Sequence, residues 1–385
     1  DYYYDGYSVQ AEYTLKNGEL NGPLKSYYRN GNIMKTGNYI NGKENGLFKE
    51  YNEDGSISIE YTMKDGEMNG PFITYYENGK VESTGNNING VKNGLYTEFI
   101  YNDDDDSLFL EYSGVVKNGL KDSIWNLYLF RDGKKEIAEF TTYKNDIKEG
   151  NFKKIQGDSI IFGNYINDEL DGDYIVYVDL FYRLFGGTLR TDTSLLNLES
   201  RGKYTQGKKS GNWIYYSFGI IREGHYRNDL KDGEWNYYYP NYTEEEEENN
   251  NLNYSGQLYL SETYESDKLN GKSVRLSYID EEKVLCDTVL NKNKNSFDTC
   301  IRKTWIKCFE TSYYIDNLLH GAYILKDSSG NIRFQGNFLY GEKDGVWIES
   351  YIDEDANDKK YIVYQEGNYK NDKREGKWIK YVTKD

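Results

Sequence analysis

One stretch constrains the fold more than any other: residues 64–87, KDGEMNGPFITYYENGKVESTGNN. It reads as a loop at 65–70, a β-branched and aromatic strand at 71–76, a turn at Glu77-Asn78-Gly79-Lys80, and a second strand at 81–87 that carries Gly85. Asn-Gly between two such runs predicts a tight hairpin, because both residues tolerate positive φ. The loop pattern [N/D]-G-x-x-[N/D/E/S]-G then recurs along the chain. Its second anchor falls at Gly22, Gly46, Gly70, Gly94, Ser123, Gly150, Gly172, Gly211, Gly233, Gly271, Gly321, Gly345 and Gly376, about thirteen units. The first four anchors are 24 residues apart, a period that signals a stacked array rather than separate domains.

Aromatic residues follow the anchors in register. Two positions on stand Phe48, Phe72, Tyr96, Trp125, Phe152, Tyr174, Trp213, Trp235, Tyr323, Trp347 and Trp378. Five positions on stand Tyr27, Tyr51, Tyr75, Phe99, Tyr128, Tyr177, Tyr216, Tyr238 and Tyr381. An odd separation puts the two rows on opposite faces of a regular strand. A bulge between them, or a first aromatic still in the loop, would change that. The second strands end in Gly-x-aromatic, as at Gly37, Gly163, Gly202, Gly224, Gly336 and Gly367. A strand glycine leaves room for a ring to lie flat on the backbone, so one ring over one glycine is expected in each unit. A lone hairpin is marginal in water; hairpins side by side share pairing and a ring seam. The expected fold is all-β: an elongated, solenoid-like array of antiparallel β-hairpins in a single long twisted sheet.

Insertions near 102–107, 179–200 and 241–251 divide the repeats of 1–278. Residues 279–312 read as an irregular insertion holding Cys286, Cys300 and Cys308, and 313–385 return to the repeat. One disulfide with a free thiol and three reduced thiols both remain open. With no CxxC and only His225 and His320, no metal site is expected. The acidic tips at 102–106 and 353–355 lack the EF-hand pattern and read as solvated charge, as does Glu244 to Glu248. His225 and His320 sit where other units carry Asn. No G-x-S-x-G or P-loop appears. No catalytic residue and no cofactor is expected.

The formal charge of −17 argues against nucleic acid and anionic lipid and for basic partners. No apolar window is long enough to span a membrane as a helix. The chain starts at Asp1 without Met, and that start and the possible disulfide lean towards an exported, cell-envelope or extracellular protein. Tyrosine, at 42 residues, is the richest source of contact area. In the pairs at 27–28, 75–76 and 215–216 one ring is expected to point outward, and in the run 237–239 two, which makes Tyr28, Tyr76, Tyr215, Tyr237 and Tyr239 the candidate partner surface.

The run N-G-x-x-N-G-P-x-x-x-Y-Y-x-N-G-x-x-x-x-x-G-N-Y, complete at residues 17–39 and nearly so at 65–87, resembles the MORN-repeat variant of bacterial YwqK-type proteins. The resemblance implies a hairpin solenoid used for scaffolding or protein interaction, with membrane or lipid association in some relatives and an antitoxin label in the bacterial variant. The leading expectation is a non-enzymatic structural or adaptor protein that shows an acidic, tyrosine-rich face to another protein in a larger assembly. The alternatives are a surface-glycan binder and an antitoxin-like chain that masks a basic partner.

Overall fold

A computed structural model describes residues 9–101, 107–131, 134–180, 183, 190, 196–217, 220–239, 257–283, 302–354 and 360–384. The chain divides into two compact units, Asp1–Asn197 and Leu198–Asp385. Among the described residues there are thirty strands, and within each unit they pair antiparallel with their neighbours in chain order, as an array of hairpins.

The two ends of each hairpin turn differently. At one end, both central residues have positive φ: Asn17-Gly18, Asn41-Gly42, Asp65-Gly66 and Asn89-Gly90 early on, Asn145-Asp146, Asn228-Asp229 and Asn371-Asp372 later. These are two-residue hairpins of the primed type, whose twist matches that of the strands. They occupy the first half of what reads in sequence as a loop. The second half is already strand, as in Glu67–Tyr75. At the other end, Asn30, Asp54 and Asn78 are not left-handed; only Gly31, Gly55 and Gly79 are. There, Gly31 N–H donates to the Tyr28 carbonyl at 3.0 Å and Tyr28 N–H to the Asn32 carbonyl at 2.8 Å. That is a three-residue loop closed by a left-handed glycine. Asn30, Asp54 and Asn78 instead use their side-chain oxygens to accept the N–H two residues on, at 2.9, 2.8 and 3.1 Å. Positive φ at both residues, expected at Asn78-Gly79, occurs instead at the opposite end of the hairpin, at Asn89-Gly90.

The anchors mark a bulge. Every anchor, Ser123 included, has positive φ, and the pairing register shifts beside it, as between Ser113 and Val115. A second register shift follows, as between Thr74 and Tyr75, where the partner strand skips Glu82. The aromatic two positions on faces one side, and the one five positions on faces the other.

The ring-over-glycine seam is present. A Cβ at Gly85 would stand 2.6 Å from Phe72, and at Gly163 2.7 Å from Phe152. At Gly37, Gly202, Gly224, Gly336 and Gly367 it would fall inside Phe48, Trp213, Trp235, Trp347 and Trp378. Gly114 under Trp125 is another such seat. These rings are the core: Phe48, Trp125, Trp213, Trp235 and Trp347 are at most 2% exposed.

Residues 279–283 and 302–312 belong to one long hairpin, Lys268–Lys283 with Arg302–Ile315, paired from Gly271–Tyr314 to Lys283–Arg302. Cys308 is buried, while Cys286, Cys300 and the tips at 102–106 and 241–251 lie outside the described residues. In the elaborated segment near 179–200, fully buried Asp179 accepts the backbone N–H of Arg190 at 3.0 Å and is ion-paired to its guanidinium. No helix among the described residues is long and apolar enough to cross a membrane.

Candidate functional site

Strand alternation gives the sheet of each unit two chemically distinct faces. The ring face carries the seam, and a cation covers many of its rings. Lys92 Nζ lies 4.3 Å from the Tyr96 ring centroid, Lys121 4.5 Å from Trp125, Lys209 4.6 Å from Trp213, Lys231 4.5 Å from Trp235, and Lys343 4.4 Å from Trp347. Arg374 stands 4.2 Å over Trp378. All six stand two residues before an anchor. The bulge holds that residue above the ring, and the ring quadrupole attracts the charge. Sequence reading missed this row. Its signal is a Lys or Arg before the anchor, as in K-x-G and R-x-G.

Five of these cations, all but Arg374, are also tied to the next hairpin. The second residue of the following primed turn donates its N–H to the backbone carbonyl of the same position, as Gly90 does to Met68 at 2.8 Å and Gly119 to Lys92 at 2.8 Å. Where that turn residue is Asp, its carboxylate accepts a second bond. Asp146, Asp168, Asp229 and Asp372 take the backbone N–H of Lys121, Lys148, Lys209 and Lys343 at 2.6, 2.9, 2.7 and 2.6 Å. One residue thus cross-links two hairpins and covers a ring.

Indole N–H groups close the seam. Trp125, Trp213, Trp235 and Trp347 each donate to the carbonyl after the seat glycine, those of Val115, Lys203, His225 and Asn337, all at 3.1 Å. Each bond ties a ring to the strand that carries its seat glycine.

Many ionisable groups on this face are spent internally. Lys35 is shared between Glu44 at 3.0 Å and Glu50 at 3.5 Å. Burial alone would push its pKa down, but hydrogen bonds to Tyr61 and Glu44 raise it instead. Burial pushes the Tyr61 hydroxyl up to about 12. Lys209 has ring neighbours and the Tyr215 hydroxyl at 3.0 Å, and burial lowers its pKa. Nearly buried Glu349 faces Lys343 at 3.3 Å, Tyr369 at 2.9 Å and Arg374 at 2.8 Å. Burial favours its neutral form, yet these donors hold it below the usual carboxylate value.

The open face is different. In the unit Asp1–Asn197 the residue after each anchor forms a row: Pro23, Leu47, Pro71, Leu95 and Ile124. All five are exposed, Leu47 by 54%, Leu95 by 66% and Ile124 by 51%. Opposite them in register stand Asn38, Thr62, Asn86 and Val115. The row turns polar at Asn151 and Asp173. In the unit Leu198–Asp385 its members include Asn212, Glu234 and Lys272, with Val346 exposed.

The five tyrosines expected at a partner surface fall in three settings. Tyr28 and Tyr76 are half-buried at hairpin tips, where their hydroxyls donate to the carbonyls of Tyr51 at 2.6 Å and Phe99 at 2.9 Å in the next unit. Tyr215 and Tyr237 are half-buried on the ring face and receive hydrogen bonds from Lys209 and Lys231, both at 3.0 Å. Only Tyr239 is exposed, by 44%. A neighbour facing the other way, such as Tyr216 or Tyr238, does not leave either ring free, because both faces are packed near the tips. His225 lies 3.3 Å from the Asn212 side chain, and His320 accepts the Tyr340 N–H at 3.4 Å.

The family described as MORN repeat variant matches residues 20–41, 44–65 and 68–87. Comparison with curated proteins gives no match. Among solved structures, the crystal structure of TcdB2-TccC3 is 9% identical, covering 89% of this chain and 16% of that chain at a TM-score of 0.18. The crystal structure of TcdB2-TccC3-Cdc42 is also 9% identical, covering 92% and 23% at a TM-score of 0.16. This chain spans less than a quarter of either, and neither likeness bears on function.

Proposed function

From the three consecutive MORN repeats at residues 20–87, we propose that the chain is a non-catalytic binding protein whose β-repeat face docks another protein within an assembly. The observation that carries this is the apolar row on the open face. Pro23, Leu47, Pro71, Leu95 and Ile124 recur once per hairpin, about 10 Å apart for two strand spacings, and each is exposed. Isolated exposed apolar residues are ordinary; an aligned series on one face marks a contact surface. The ring face of the same unit offers no comparable surface, since its rings are largely buried and many of its cations and hydroxyls are paired. Around the row, Asn and Thr give a polar rim, and the net charge of −17 favours a partner with basic residues at the periphery.

Crosslinked affinity capture from the native cells, with the wild-type chain beside a Leu47→Glu/Leu95→Glu variant, tests this reading. A stoichiometric protein held by the wild type and lost by the variant, with the urea midpoint unchanged, is expected. Equal recovery by both chains, or recovery by neither, overturns it.

A further inference from the structure

A second cluster lies in the other unit, where the ring face stops being closed. Tyr215, Arg222 and Tyr237 form one row across three adjacent strands, Tyr215 opposite Arg222 and Arg222 opposite Tyr237. Beside Tyr237 a register shift in the next strand turns Tyr259 towards the same patch. The Tyr259 ring stacks on Tyr239 with centroids 4.0 Å apart and planes at 23°, and leans on Tyr237 at 6.2 Å. Tyr239 is exposed and so is Arg222.

Arg222 breaks the pattern of this face. Its guanidinium lies 5.5 Å over the Tyr215 ring. Among the described residues no carboxylate stands within ion-pair distance of it. The nearby acid, Glu262, is nearly buried, accepts the Tyr264 hydroxyl at 2.8 Å and faces Arg275 at 3.9 Å. In a chain of charge −17, an exposed arginine with no acid partner among the described residues, beside a stacked tyrosine pair, offers its fork to an anion from outside.

We propose that this cluster binds an acidic sugar residue, a hexuronate whose ring lies on the Tyr239–Tyr259 pair and whose carboxylate meets Arg222. Three features select this class. The exposed Tyr239 ring, backed on one face by Tyr259, offers a flat, amphipathic surface that suits the C–H face of a pyranose. An arginine fork matches a carboxylate in two parallel hydrogen bonds. A hexuronate carries both groups within one residue, which suits a patch this small. An acidic peptide fits less well: the strands Ile220–Arg227, Leu230–Tyr239 and Gln257–Glu265 are paired on both sides. No backbone edge is therefore free to add a peptide strand. Burial raises the Tyr259 pKa and the Arg222 charge opposes that rise, so the guanidinium is close enough to act on this ring. The net charge of the chain slows approach of any anion, an effect screened over about 8 Å at physiological salt.

The test is calorimetric titration of the full chain with trigalacturonic acid, its carboxyl-reduced counterpart, and tetraglutamate. Saturable binding of trigalacturonic acid alone is expected. Both Arg222→Gln and Tyr239→Ala, substitutions at exposed positions, should weaken it by about tenfold or more, with circular dichroism unchanged. Equal affinity for the reduced sugar would remove the role of the carboxylate. Equal affinity for tetraglutamate would leave only charge. Binding untouched by either variant, or no binding by the wild type, overturns the site. The protein-docking row lies in the other unit, so Leu47→Glu/Leu95→Glu should bind the sugar as the wild type does.

Discussion

Among the described residues eight glycines, Gly224 and Gly336 included, have ordinary torsions and are fixed by the ring that lies on them. Gly336→Ala would place its Cβ inside the Trp347 indole. The ring would have to leave its seat and its 3.1 Å bond to the Asn337 carbonyl. The expected loss is about 3 kcal/mol in urea unfolding. Gly31 is the contrast: its φ is +92° but nothing lies within 4 Å, so Gly31→Ala should cost about 1–2 kcal/mol from backbone strain alone. Similar losses for both would show that the ring seats are not tight. Glu349 gives a prediction in pH. Its folded pKa is below the ordinary 4.5. Its stabilising contribution is therefore complete above that value and is lost as pH falls through the folded one. Wild type and Glu349→Gln should differ most in urea midpoint near neutral pH and converge in acid; a constant offset would exclude the charge as the cause.

At the scale of the hairpin, Asn-Gly serves two purposes that look alike in sequence. In Asn89-Gly90 both residues are left-handed, whereas in Asn78-Gly79 only the glycine is. What separates them is the neighbouring strand: the first turn hands its N–H to Met68, and the second closes on its own loop. That partner is 22 residues away from Gly90, so a local reading had no access to it. The ring seats were legible because both halves, Gly-x-aromatic and the anchor-plus-two aromatic, recur in register. The cation row is not legible in sequence, since a lysine in a polar strand looks like solvated charge until the bulge places it over a ring. Likewise Tyr215 and Tyr237 looked free beside their tyrosine neighbours, and only the lysine to which each is bonded shows otherwise. Turn chemistry gives a test at this scale. Asp229→Gly keeps a residue that accepts positive φ and removes only the carboxylate bond to the Lys209 N–H. It should cost about 1 kcal/mol, while Asp229→Ala should cost more because strain is added. Reversal of that order in urea midpoints would mean the carboxylate is not what joins the hairpins there.

On the scale of the molecule, the anchors at Gly22, Gly46 and Gly70 are spaced by one constant length, and the turn of each hairpin is tied to the one before. Removal of residues 43–66, 24 residues, joins Gly42 to Glu67 and leaves the ties from Gly42 to Leu20 and from Gly90 to Met68 in place. The shortened unit should fold, with the denaturant slope of the Asp1–Asn197 unit reduced by roughly an eighth in proportion to surface lost. Loss of the cooperative transition would show that these repeats are not interchangeable. The open face would lose Leu47 in that deletion, and binding of the protein partner should weaken with it.

The four indoles that donate to the carbonyls after Gly114, Gly202, Gly224 and Gly336 make the same bond in different repeats. Each indole proton is consequently a local clock. Its exchange with deuterium can proceed only when its own ring lifts from its own glycine. Four resonances in one spectrum then time the opening of four addresses along the chain, and a ligand seated on any one of them announces its position by which clock slows.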